Sequence, residues 1–138
     1  MCSKMISAKK GWATVIEWRE FCVGASDIAA DDAGLTVQFS NRRLQRIDVC
    51  TGDGVIELRS VVARRAVAEH IEDVVLMAWE RNRASSLVGF RADDRGRLVG
   101  ECWVPTAGLT RDEFLFLVRR AAAACDLFEF QLTGHDRE

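Results

Sequence analysis

Residues Gly96 to Gly134 read GRLVGECWVPTAGLTRDEFLFLVRRAAAACDLFEFQLTG, and no other stretch narrows the possible folds so far. A strand leaves a tight turn at Gly96 and stops near Pro105, which lacks the N–H that a continuing ladder needs. Thr110 then opens an amphipathic helix with a capping box. Its hydroxyl accepts from the Glu113 amide while the Glu113 carboxylate reaches back to the Thr110 amide. Leu109 and Phe114 stand where a hydrophobic staple belongs, and Phe114, Leu117, Val118, Ala121, Cys125 and Phe128 continue one apolar stripe. Gly134 can supply a left-handed terminus. Asp126 and Glu129 repeat the capping-box spacing, which predicts a bend or restart there. A strand followed at once by a long one-sided helix implies a sheet with a helix laid across one face.

The elements upstream complete that architecture. From Trp12, the apolar positions Val15, Ile16, Trp18, Phe21 and Cys22 fall at helical spacing, and Ile28 to Ala30 read as a further helical turn before Asp31, Asp32 and Gly34. The period then changes to two at Leu35, Val37 and Phe39. Strands over 44–50 and 55–62 flank the Thr51-Gly52-Asp53-Gly54 turn and predict an antiparallel meander of three strands. From Arg64 to Arg83 the period is helical again, with Val67, Ile71, Val74, Val75, Ala78 and Trp79 on one stripe, so Trp79 is expected in the core. Leu76 and Met77 lie off that stripe and widen the apolar surface, as either contacts on two sides or ordinary deep burial would require. Strands over 86–92 and 97–104 around Asp93-Asp94-Arg95-Gly96 form a hairpin. The order is helix, three-strand meander, helix, β-hairpin, C-terminal helix: an α+β class with an antiparallel sheet. Residues 1–10 are expected to be a flexible N-terminus, 11–134 a single domain and 135–138 a flexible tail.

A chain of 138 residues, 49% hydrophobic and 29% charged with one proline, is sized for one core and too apolar for intrinsic disorder. The formal net charge of −2 gives no global positive field for nucleic acid or an anionic membrane. No segment reaches the length of a bilayer span. The five cysteines, Cys2, Cys22, Cys50, Cys102 and Cys125, are scattered without a Cys-x-x-Cys pair, and they read as reduced, mostly buried thiols of a cytoplasmic protein.

With element order and C-terminal block both read, the chain resembles the type III secretion chaperone-like fold, and within it the YbjN-like group of small bacterial proteins. The residues that carry the likeness are Gly96-Arg-Leu-Val-Gly100, Trp103-Val-Pro105, Gly108-Leu-Thr-Arg-Asp-Glu-Phe114 and Cys125-Asp-Leu-Phe-Glu-Phe-Gln-Leu-Thr-Gly134. Topology extends it over residues 12–134. These residues encode turns, caps and core, so they specify a fold more than an activity. The resemblance implies a homodimeric, non-enzymatic domain that binds an extended or partly unfolded protein segment, or an adaptor in regulation. Members of the secretion branch hold effectors for export, and an immunity-type partner of a toxin is an equal possibility for a protein of this size.

Nothing in the residues demands catalysis, a cofactor or a metal. Glu69 and Asp73 are one turn apart beside His70 and Glu72, but they lack the third ligand and histidine spacing of a metal site. His135 has no neighbouring nucleophile. A small enzyme would have to assemble a Cys/His/Glu pocket across the fold, and that stands as the alternative. Gly52 and Gly54, like Gly96 and Gly100, lie in hairpin contexts and form no nucleotide-binding loop. Residues 41–65 hold six arginines against three acidic residues, whereas residues 17–32 carry a balance of −4, so the two regions should attract each other. The basic stretch has no interleaved aromatics for stacking on bases, which argues against nucleic acid. Candidate protein-interface residues are therefore Trp12, Trp18, Leu76, Met77, Arg42, Arg43 and Arg46. A homodimer that masks a segment of a partner protein is the expected mode of action.

Overall fold

A computed structural model describes residues 17–133. Helix α1 spans Trp18–Phe21 and is followed by strands β1 (Ile28–Ala30), β2 (Gly34–Gln38), β3 (Leu44–Gly52) and β4 (Val55–Ala63). Helices α2 (Arg65–Ala68) and α3 (Val74–Ala84), strands β5 (Gly89–Ala92) and β6 (Leu98–Pro105), and helix α4 (Arg111–Thr133) complete the chain. The six strands form one antiparallel sheet in the order β1-β2-β3-β4-β6-β5. The α+β class, the antiparallel sheet and the C-terminal helix are as the sequence predicts. The expected flexible segments 1–10 and 135–138, with Trp12, His135 and Gly134, lie outside the described residues.

Helix α4 crosses β3, β4 and β6 on one face of the sheet. On that face Val49, Ile56, Leu58, Val62, Cys102 and Val104 meet Phe114, Val118, Ala121, Ala122, Cys125 and Phe128 in one buried cluster. Gly100 lies in this contact, since a Cβ there would fall 2.4 Å from Cys125 Sγ and 2.9 Å from Phe90 Cε1. The sheet thus needs a glycine where helix and ring approach closest. Gln45 and Ser60 are the buried polar residues among those described. They are satisfied together: Gln45 Nε2 donates to Ser60 Oγ at 2.7 Å, and Ser60 Oγ donates to the Arg46 carbonyl at 2.7 Å.

Local signals set several boundaries. The Thr110 capping box forms in both directions, with Thr110 N–H to Glu113 Oε1 at 3.0 Å and Glu113 N–H to Thr110 Oγ1 at 3.2 Å. Gly24 at φ +88° follows α1, and Gly96 at φ +78° closes the β5–β6 turn. Asp93 Oδ1 accepts from the Arg95 and Arg97 amides in the same turn, at 3.0 and 2.8 Å.

Four expectations are corrected. Ile28–Ala30 is not a helical turn but a short edge strand paired with Leu35–Val37, because Asp27 and Asp31 tie its two ends to Gln38 and Gly34. The helix expected from Arg64 to Arg83 is two helices, broken between Glu69 and Asp73, where Asp73 takes a left-handed φ of 55°. The stripe read from Val67 and Ile71 therefore loses phase before α3. Helix α4 runs unbroken through Asp126 and Glu129, since a buried stripe that includes Cys125 and Phe128 holds it on the sheet past that point. Cys50, half-buried on the face away from α4, is disulfide-bonded; Cys22, Cys102 and Cys125 are free and buried.

Candidate protein-binding surface

Helix α3 is apolar on both sides. Val74, Met77, Ala78 and Arg81 recur at helical spacing on the side turned to the protein, where Ala78 is buried and Val74 and Met77 pack partly against the core. Val75, Leu76 and Trp79 occupy the opposite side and are 67%, 47% and 55% exposed. The Arg83 guanidinium lies 5.1 Å from the Trp79 ring and covers part of it. This corrects Trp79 from core to surface, and the cause is the phase change at Asp73. An eleven-residue helix with one buried residue has little to hold it in water.

Two tethers hold α3 in place. The Asn82 carboxamide accepts from the Phe90 amide at 2.7 Å and donates to the Phe90 carbonyl at 2.9 Å. It thereby satisfies the free edge of β5 as a neighbouring strand would, and blunts that edge against pairing with another chain. Arg81 lies 4.8 Å over the Phe128 ring, which itself packs edge-on against Phe90 with 4.9 Å between centroids. The outward face of α3 is thus presented on a helix fastened from behind.

The other candidates fall in different places. Trp18 is 4% exposed, within the core cluster, so its ring has no surface to offer a partner. Leu76 is exposed and Met77, next to it, points largely inward. Arg42 is exposed at φ 74° in the turn before β3. Arg43 pairs with Asp126 of α4 at 2.6 Å. Arg46 pairs with Asp31 at 2.6 Å and Asp48 at 3.2 Å, joining the acidic and basic regions within one chain. Much of the basic excess read from residues 41–65 is thus neutralised internally.

Sequence reasoning missed the sheet face turned away from α4. There Asp48, Arg59 and Glu101 stand in register across β3, β4 and β6. Arg59 also pairs with Glu57, and Arg91 with Glu101 at 2.6 Å. Exposed Trp103 lies beside Glu57 on the neighbouring strand. The signal was the alternation of Glu57, Arg59 and Val61 with buried residues, which becomes a charge ladder only once the strand order is known.

The chemistry of the thiols runs against nucleophilic use. Burial pushes Cys22 and Cys102 up, and pushes Cys125 up to about 12. A reactive cysteine needs the opposite shift. Among the described residues no cluster of three His, Cys, Asp or Glu side chains could hold a metal ion, and no helix is long and apolar enough to cross a membrane.

No protein-family model matches the chain, and a search of curated proteins finds no match. Solved structures do match. YbjN from E. coli superposes with a TM-score of 0.63 at 14% identity, over 84% of this chain and 88% of that one. A chain of the ExsC–ExsE complex gives 0.59 at 16% identity, over 82% and 88%. A chain of the heterodimeric ExoU–SpcU complex, from the type III secretion system of Pseudomonas aeruginosa, gives 0.53 at 22% identity, over 75% and 86%. The chain therefore has the YbjN-like, type III secretion chaperone-like fold.

Proposed function

We propose that the chain is a non-enzymatic binding domain, chaperone- or adaptor-like, that works as a homodimer and masks a segment of a partner protein. The observation that carries this reading is the outward face of α3. Val75, Leu76 and Trp79 stand exposed together on a helix held by buried Ala78, partly buried Val74 and Met77, and two side-chain tethers, Asn82 to β5 and Arg81 to α4. Covering such side chains releases roughly 1.5–3 kcal/mol for each one fully buried, enough to favour association once the cost of docking is met. Two of the structural neighbours are complexes with partner proteins, which agrees with the reading. Buried thiols with raised pKa values weigh against the Cys/His/Glu enzyme.

Masking is tested by mixing the purified chain with a permanently unfolded test protein, its cysteines alkylated, and with a folded one. Co-elution on size exclusion with the unfolded protein alone is the expected result, reduced by Leu76→Asp together with Trp79→Asp because the α3 face joins the two copies on which masking depends. No retention of the unfolded protein would overturn the masking role.

A further inference from the structure

A second apolar surface lies at the start of α4, on residues that no part of the α3 face uses. Leu87, Val104, Pro105, Leu109, Phe116 and Leu117 line an open groove of about 550 Å³, between the loop before β5, the end of β6 and the first turns of α4. Leu87 and Phe116 are each 52% exposed at its walls. Leu87 holds a left-handed φ of 74°, which a bulky side chain rarely adopts, and Ser85 Oγ bridges the loop by donating to the Val88 carbonyl at 3.0 Å. The loop thus keeps an exposed leucine in a costly conformation at the groove wall.

The charged groups that line this groove are both carboxylates, and the Arg120 guanidinium stands 5.7 Å from the Phe116 ring at its wall. Asp112 and Glu113 are its ionisable lining residues. Glu113 is engaged in the capping box, whereas the exposed Asp112 carboxylate makes no hydrogen bond or ion pair among the described residues. An apolar floor with an unpaired carboxylate at its rim complements a bulky apolar side chain with a cation next to it. We propose that this groove captures an extended segment of a partner protein in which one or two large apolar residues stand beside lysine or arginine. The inference rests on the protein-binding reading above and assigns it a contact for the partner segment, separate from the α3 face that joins two copies.

The test selects a displayed random-peptide library against the full chain, then measures enriched peptides, synthesised with a fluorophore, by anisotropy. The same peptides are measured on Phe116→Asp, Phe116→Ala, Asp112→Asn and Leu76→Asp, each checked for an unchanged circular dichroism spectrum. Enriched sequences should join Phe, Leu or Trp to Lys or Arg. Their affinity should fall about tenfold or more with Phe116→Asp, less with Phe116→Ala, and severalfold with Asp112→Asn at low salt only. Enriched peptides that lack basic residues, or that bind Phe116→Asp as well as the parent chain, would overturn the groove. If those peptides instead lose affinity with Leu76→Asp, the protein-binding reading stands and only the groove falls; a library with no enrichment overturns both. A dimer that dissociates with Phe116→Asp would assign the groove to a second copy of this chain and also overturn the proposal.

Discussion

Replacing Asn82 with alanine should release the outer edge of the sheet. The Phe90 N–H and C=O both end on the Asn82 side chain, at 2.7 and 2.9 Å, and β5 has no strand beyond it. Each such bond contributes a net of about 0.5–1.5 kcal/mol, so the pair is worth about 1–3 kcal/mol. Water can replace part of this at an exposed residue, which places the expected loss at about 1–2 kcal/mol. Since 1.4 kcal/mol is a factor of ten in an equilibrium constant, exchange of the Phe90 amide should quicken by about tenfold or more. The assay is native-state hydrogen exchange resolved by residue, with thermal melting alongside. Amides of α3 should lose protection with Phe90, because the same side chain tethers that helix, whereas Gly100 and Cys102 in β6, whose amides face β4, should hold theirs. Asn82→Asp keeps the acceptor for the Phe90 amide but sets a carboxylate against its carbonyl, so it should recover only part of the protection. Unchanged Phe90 exchange in Asn82→Ala would refute the reasoning, since among the described residues Asn82 is the partner of that amide on the edge side.

Further outcomes follow from the same packing. Gly100→Ala should cost about 1–3 kcal/mol, because its Cβ would meet Cys125 Sγ at 2.4 Å, while Gly89→Ala, with open space around it, should stay within about 0.5 kcal/mol. Chemical denaturation reads both, and adding Cys125→Ala should recover part of the Gly100→Ala loss if Sγ is the obstacle. The stability profile should fall in acid. Hydrogen bonds from Arg119 hold Asp27 below the ordinary carboxylate value of 3.8, and at Asp93 hydrogen bonds from Arg97 and Arg95 outweigh the upward push of burial. Their contribution is complete above that value and is lost as pH falls through the depressed ones, so Asp27→Asn should flatten the acid limb of a pH-dependent melting series. In the native protein Cys22, Cys102 and Cys125 should resist a disulfide reagent at mildly alkaline pH and react on denaturation; rapid native labelling of Cys125, pushed up to about 12, would contradict its burial.

The parts of the fold that were legible in the sequence are those decided within a few residues. The Thr110 capping box, the Asp93–Gly96 turn and the alternation of β2 to β4 each carry their cause locally. The short strand β1 did not show itself, because three residues cannot display a period and two alanines favour a helical reading; its pairing to β2 is what makes it a strand. The break at Asp73 was hidden for a related reason, as neither glycine nor proline marks it. That break mattered most for the candidate surface, since it turned Trp79 outward and Met77 inward. The attraction between residues 17–32 and 41–65 was visible as opposite charge, but the particular pairing of Arg46 with Asp31 needed β1, β2 and β3 side by side. Asn82 carried no signal at all, because its role exists only where α3 meets the edge of β5.

The most direct test of the homodimer reading is the solution mass of the full chain across a dilution series, by light scattering after size exclusion, beside the Leu76→Asp and Trp79→Asp variants. The account predicts a dimer that dissociates on dilution and monomeric variants that keep the parent circular dichroism spectrum. A parent chain that is monomeric at every concentration, or a dimer that both substitutions leave intact, would contradict it.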